Sequence, residues 1–182
     1  MGVKITFISG GARSGKSSFA LKEASKFEGQ KAYLATAETL DDEMKERVKR
    51  HKKERGPNWD TYEEPVEITE GLKKIKDKYN VIVLDCLTLW LSNVLLSNLD
   101  CDKEVDVLIE MLTQNSELCK GEAPPLPYSK LFIVSNEVGM GIVPDNELAR
   151  RFRDLAGILN QKVAEIADEV YLVIAGIAMK IK

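Results

Sequence analysis

Residues 4–17 read Lys4-Ile-Thr-Phe-Ile-Ser-Gly10-Gly-Ala-Arg-Ser-Gly15-Lys16-Ser17, an apolar β-rich run that breaks into a glycine-spaced loop and continues into the helical run 18–26. A strand that stops at Gly10 and a helix that starts past Gly15 leave a loop in which consecutive backbone N–H groups can turn inward on an anion. The spacing Gly10-x-x-x-x-Gly15-Lys16-Ser17 is that of a Walker A phosphate loop, and the strand before it and helix after it are the context that motif requires. In such a loop Gly10, Gly11, Ala12, Arg13, Ser14 and Gly15 supply the cradle. Lys16 reaches the terminal phosphates, and Ser17 offers its hydroxyl to Mg2+.

Working outward, further short apolar runs at 32–36, 81–84, 131–135 and 170–174 are each too short for a helix and are bounded by polar or turn residues, so five buried strands are predicted. Between them lie segments of helical spacing. The clearest is the stripe Leu148, Phe152, Leu155, Leu159, Val163 and Ile166, at steps of three and four. Strands alternating with helices predict an α/β domain with a mainly parallel central sheet flanked by helices, whose ligands bind at the carboxyl ends of the strands. The Pro-rich stretch 121–127 reads as an irregular connection before the fourth strand rather than a linker between domains.

At 182 residues, with 44% hydrophobic and 30% charged, the chain is expected to form one domain over 1–182. A formal charge of -3 gives no chain-wide reason to bind nucleic acid or an acidic membrane, so any anion site is local. Cys86, Cys101 and Cys119 are odd in number and lack C-x-x-C spacing, and His51 is the single histidine, so neither a disulfide framework nor a structural zinc site is indicated. The N-terminus lacks the pattern of a signal peptide, and no stretch approaches the ~18 consecutive apolar residues of a membrane span. A soluble, cytoplasmic protein is expected.

Asp85 directly follows the run 81–84, where a Walker B carboxylate would help hold Mg2+. The loop Asn136-Glu-Val-Gly-Met-Gly-Ile-Val-Pro144 follows the fourth strand, where it is either an ordinary connection or a substrate loop. His51 falls on a helix predicted to open at Thr39-Leu-Asp-Asp42, in a stripe with Leu40, Met44 and Val48 that faces the protein. Around it Lys45, Arg47, Lys49, Arg50, Lys52, Lys53 and Arg55 outnumber Glu46 and Glu54, which would draw a polyphosphate and favour the neutral imidazole. A packed histidine on a solvated charged helix is the other reading, and Arg150, Arg151 and Arg153 pose the same choice.

Taken together these segments resemble the bifunctional adenosylcobinamide kinase and adenosylcobinamide-phosphate guanylyltransferase family of cobalamin biosynthesis. The resemblance rests on residues 9–17, on Tyr33-Leu-Ala-Thr36 with Leu40-Asp-Asp-Glu-Met44 and Arg50-His-Lys52, on residues 136–144 and on residues 176–182, in order along the chain. It implies a RecA-like P-loop fold, a homotrimer and two reactions. In the first, ATP or GTP gives its γ-phosphate to adenosylcobinamide. In the second, His51 takes GMP from GTP and passes it to adenosylcobinamide phosphate. By the same resemblance the guanine nucleotide touches Ala35, Thr36, Ala37, Lys52, Lys53, Glu54, Arg55, Glu63 and Asp85. Asp85 stands where some members carry Glu, a carboxylate longer by one methylene.

Two other readings use the same phosphate loop. A P-loop kinase for a small metabolite, without nucleotidyl transfer, leaves His51 and its basic helix idle. A nucleotide-switched binding module of the Ras type would carry Asn-Lys-x-Asp after the fourth strand, where this chain has Asn136-Glu137-Val138-Gly139.

Overall fold

In the computed structural model, which describes residues 3–37, 58–117 and 130–182, seven strands form one sheet. They are β1 (Lys4–Gly10), β2 (Lys31–Ala35), β3 (Trp59–Glu63), β4 (Val81–Asp85), β5 (Lys130–Asn136), β6 (Glu169–Ile174) and β7 (Ile177–Lys180). Their order is β3-β2-β4-β5-β1-β6-β7; the first six are parallel and β7 returns antiparallel to β6. The helices described are α1 (Lys16–Ser25), α2 (Ile68–Ile75), α3 (Leu87–Leu96), α4 (Cys101–Glu117) and α5 (Glu147–Ile166).

The five strands expected from apolar runs are present, and two more flank them. β3 reads Trp-Asp-Thr-Tyr-Glu, an edge strand with no apolar run to announce it. β7 follows β6 after only Ala175 and Gly176, both at positive φ (51° and 81°), the geometry of a two-residue hairpin turn. An apolar run crossing that turn conceals the reversal.

Alternation along the central strands serves both faces. Ile5, Phe7, Leu34, Ile82, Leu84, Leu131 and Ile133 join a core covered by α2, α3, α4 and α5. Ile8, Tyr33, Val81, Val83, Phe132 and Val134 meet Ala20 and Ala24 of α1 on the other face. Burying a large aliphatic side chain is worth about 1.5–3 kcal/mol, so central strands apolar at nearly every position are stable only between two helical layers.

The stripe read from the sequence lies on α5: Leu159 and Val163 are fully buried, whereas Leu148 in the first turn is exposed. Asn146 starts that helix by accepting the Ala149 N–H at 2.7 Å. Trp90 of α3 is buried, and its indole N–H donates to the Val66 carbonyl at 2.7 Å. Cys86 and Cys101 are free thiols, buried in the core, and Cys119 lies outside the described residues. No helix among the described residues is long and apolar enough to cross a membrane. The Pro-rich stretch 121–127 and the helix expected around His51 also lie outside them.

Candidate functional site

The carboxyl ends of the parallel strands converge on one edge of the sheet. Register sets Glu63 beside Ala35, Ala35 beside Asp85, and Gly10 beside both Asn136 and Val173. Because side chains alternate in a strand, Asp85 shares its face with Val81 and Val83, the face covered by α1. Glu63, Ala35 and Asp85 therefore form a row on the side of the sheet where α1 starts.

Between β1 and α1 the chain makes a closed loop. Its Ser14 N–H donates to the Gly11 carbonyl at 3.2 Å, and Lys16 Nζ donates to the same carbonyl at 3.0 Å. Lys16 is only 5% exposed, so its ammonium is held in the loop instead of extending into water. Helix α1 begins at Lys16, two residues earlier than the sequence suggested, with Gly15 at φ 94° in the N-cap position and no side chain capping the helix. Its first amides are thus not engaged by a side-chain cap, the condition under which a helix start receives an anion. Gly11, Ala12 and Arg13 are exposed, Ser17 is half-buried, and the buried Ser14 hydroxyl has no partner among the described residues.

Gly10 is required by close approach. A Cβ built there would lie 2.4 Å from the Val173 carbonyl oxygen of β6, whereas a Cβ on Gly11 would meet nothing within 4 Å. Gly10→Ala is expected to destabilise the protein by about 1–3 kcal/mol, the usual cost of overpacking, while Gly11→Ala leaves stability unchanged. Urea titration of both variants checks this, and equal midpoints would contradict it.

Asp85 ends β4, half-buried, and its Oδ2 accepts the Tyr33 hydroxyl at 2.6 Å. That bond orients the carboxylate from the neighbouring strand. Thr36 is fully buried: its hydroxyl donates to the Cys86 carbonyl and accepts the Cys86 N–H, each at 2.8 Å, tying the end of β2 to the turn after Asp85. Asn93 adds a donor to the Thr36 carbonyl at 2.9 Å. Burial, with Asp85 adjacent, pushes the Cys86 thiol above its usual pKa, so it is neutral and unsuited to nucleophilic work.

The loop after β5 is anchored at its start and exposed beyond it. Glu137 N–H donates to the Gly10 carbonyl at 2.9 Å, so this loop borders the phosphate loop, and the Asn136 amide donates to Thr88 Oγ1 at 2.7 Å. Met140, Ile142 and Val143 then project into solvent. Arg150 is half-buried and donates to the Pro144 and Asp145 carbonyls, a role inside the protein. Arg151 is exposed on the solvated face, and half-buried Arg153 pairs with the exposed Asp154.

The structure thus brings Gly10, Gly11, Ala12, Arg13, Ser14, Gly15, Lys16, Ser17, Ala35, Thr36, Glu63 and Asp85 to one edge, and half-buried Ala37 follows Thr36 directly. His51, Lys52, Lys53, Glu54 and Arg55 lie outside the described residues. Sequence reasoning missed the supporting groups Tyr33, Thr88 and Asn93. Tyr33 lies two residues before Ala35 on the same face of β2, a relation legible once β2 is known to pair with β4.

Comparison with known proteins bears on the same residues. Residues 6–181 match the family described as cobinamide kinase / cobinamide phosphate guanyltransferase. The chain is 39% identical to the bifunctional adenosylcobalamin biosynthesis protein CobP of Pseudomonas aeruginosa, over 96% of this chain and 95% of that one. It is 38% identical to the bifunctional adenosylcobalamin biosynthesis protein CobU of Escherichia coli, over 96% of this chain and 98% of the relative. Among solved structures, the ATPase EscN of the enteropathogenic E. coli type III secretion system superposes with a TM-score of 0.56 at 12% identity. The superposition covers 95% of this chain and 43% of the longer EscN chain, a likeness of fold that agrees with a RecA-like P-loop architecture. With a family match from the first strand to the penultimate residue and two relatives matched at nearly full length, this chain belongs to the cobinamide kinase / cobinamide phosphate guanyltransferase family.

Proposed function

We infer that this chain phosphorylates adenosylcobinamide with ATP or GTP and then transfers GMP from GTP to adenosylcobinamide phosphate, giving adenosylcobinamide-GDP and pyrophosphate. The observation that carries the reading is the buried Lys16 ammonium inside a glycine loop, on the face of the sheet that bears Asp85, in a chain matched to the family over residues 6–181.

In the kinase step the loop amides and Lys16 hold the triphosphate and offset the charge that builds on the departing diphosphate, while the acceptor hydroxyl approaches the γ-phosphorus from the opposite side. In the second step His51 attacks the α-phosphorus of GTP: an N–P bond forms, the P–O bond to pyrophosphate breaks, and GMP is held as a phosphoramidate. A phosphate oxygen of adenosylcobinamide phosphate then displaces the imidazole, and His51 is regenerated. Lys52, Lys53 and Arg55 supply positive charge beside that histidine. Glu54, Glu63, Ala35, Thr36 and Ala37 belong to the nucleotide's surroundings.

The donor set suits Mg2+. Ser17 offers a hydroxyl and Asp85 a carboxylate already oriented by Tyr33, both hard oxygen ligands. Mg2+ in phosphate sites is held through one or two protein oxygens together with phosphates and water, so these two side chains suffice. Such an ion would neutralise phosphate charge when bound.

One domain carries both reactions, and we place the enzyme in the cytoplasm as a homotrimer, on the family resemblance. The product assay tests the reading: adenosylcobinamide, GTP and Mg2+ are expected to yield adenosylcobinamide-GDP. Accumulation of the monophosphate alone would leave a kinase without guanylyl transfer.

A further inference from the structure

The carboxyl-terminal stretch 176–182 carries part of the family resemblance, yet neither proposed reaction gives it a task. The structure supplies one. The Gly176 N–H, in the turn between β6 and β7, donates to the Ser14 carbonyl of the phosphate loop at 2.9 Å. The contact is close on the other side of the same peptide as well: a Cβ on Gly15 would sit 3.3 Å from Gly176 Cα. One residue before the turn's strand end, Val173 pairs with Gly10, and its carbonyl fills the space a Gly10 side chain would need. The hairpin therefore touches the loop at Gly10, Ser14 and Gly15.

We propose that the β6–β7 turn is a positioning strut for the phosphate loop, in which the Gly176 N–H fixes the Ser14–Gly15 peptide so that the Gly15 N–H is presented to the nucleotide phosphates. The reason is geometric. A trans peptide is planar, with its C=O and N–H pointing in opposite directions. Holding the Ser14 oxygen against Gly176 turns the Gly15 N–H away from the hairpin. Without this bond the peptide can rotate, and a loop that must present amide donors together would spend part of its time with one reversed. Ala175 and Gly176, at φ 51° and 81°, form a turn just tight enough to carry its second N–H to Ser14, and Gly176 adopts that φ without side-chain strain. Gly176 is a positioning residue in this scheme and touches no substrate.

The proposal rests on the phosphate loop binding nucleoside triphosphate, and the test separates the two. Glycolic acid in place of Gly176 puts an ester oxygen where the N–H stood, with chain length and backbone freedom kept. The probe is guanylyl imidodiphosphate with Mg2+, and guanosine serves as the ligand without phosphates. The ester protein is expected to bind the triphosphate analogue roughly tenfold more weakly than wild type, the scale of one hydrogen bond replaced by an oxygen–oxygen contact, while guanosine binds both proteins alike. Gly176→Asn keeps the N–H and tolerates positive φ, and a Cβ at that position meets nothing within 4 Å, so its affinity should match wild type.

Unchanged triphosphate affinity in the ester protein overturns the proposal, as does an equal loss for guanosine or an Asn variant as weak as the ester. If the ester protein does not fold, amide hydrogen exchange in the wild type decides. The Gly176 N–H should exchange slowly and gain further protection when the analogue binds; exchange at the rate of an open turn in both states overturns it. A wild-type protein that binds no triphosphate removes the nucleotide reading itself.

Discussion

Lys16→Ala is expected to abolish both phosphoryl and guanylyl transfer while the protein stays folded. Lys16 as a residue is 5% exposed and its ammonium lies 3.0 Å from the Gly11 carbonyl, so the charge is oriented before any ligand arrives. A preorganised charge acts on the charge that develops as a phosphate leaves. Removing one such donor costs about a hundred- to a thousandfold in rate, and a full positive charge is expected to cost more. Stability should change little, because the substitution removes a buried charge and leaves Gly11 with its bond from the Ser14 N–H. Steady-state assays of each reaction beside a thermal melt check this; turnover within tenfold of wild type in either reaction would contradict it.

His51→Ala should separate the two activities. Holding GMP requires an imidazole nucleophile, whereas γ-phosphoryl transfer to a bound alcohol needs the phosphate loop, the metal and correct positioning. The variant is expected to keep measurable kinase activity and to lose guanylyl transfer to background. The wild-type adduct, a phosphoramidate, should break down in acid and survive alkali. Labelling of the variant by α-labelled GTP to the wild-type extent would assign the nucleophile elsewhere; loss of both activities in a folded variant would assign His51 to a shared nucleotide site.

The sheet's centre was legible because its strands are apolar at nearly every position, and the phosphate loop was legible because its function depends on spacing within eight residues. β3 was not, since an edge strand needs no continuous apolar run and Asp60 and Glu63 are exposed. Nor was β7, since a two-residue turn needs only Ala175 and Gly176 and leaves the apolar pattern unbroken. Within the site, Asp85 followed from its place after a strand. Its partner Tyr33 did not, because pairing register is a property of two strands and no single segment encodes it. The Gly176 contact with Ser14 joins residues 162 positions apart, beyond any local signal.

If one chain uses its phosphate loop and its single histidine for covalent guanylyl transfer, intact-protein mass spectrometry after mixing with GTP and Mg2+ will find the adduct. One GMP per chain is expected, absent in His51→Ala and discharged by adenosylcobinamide phosphate. A wild-type protein that hydrolyses or transfers the γ-phosphate of GTP yet never acquires the mass of GMP would contradict it.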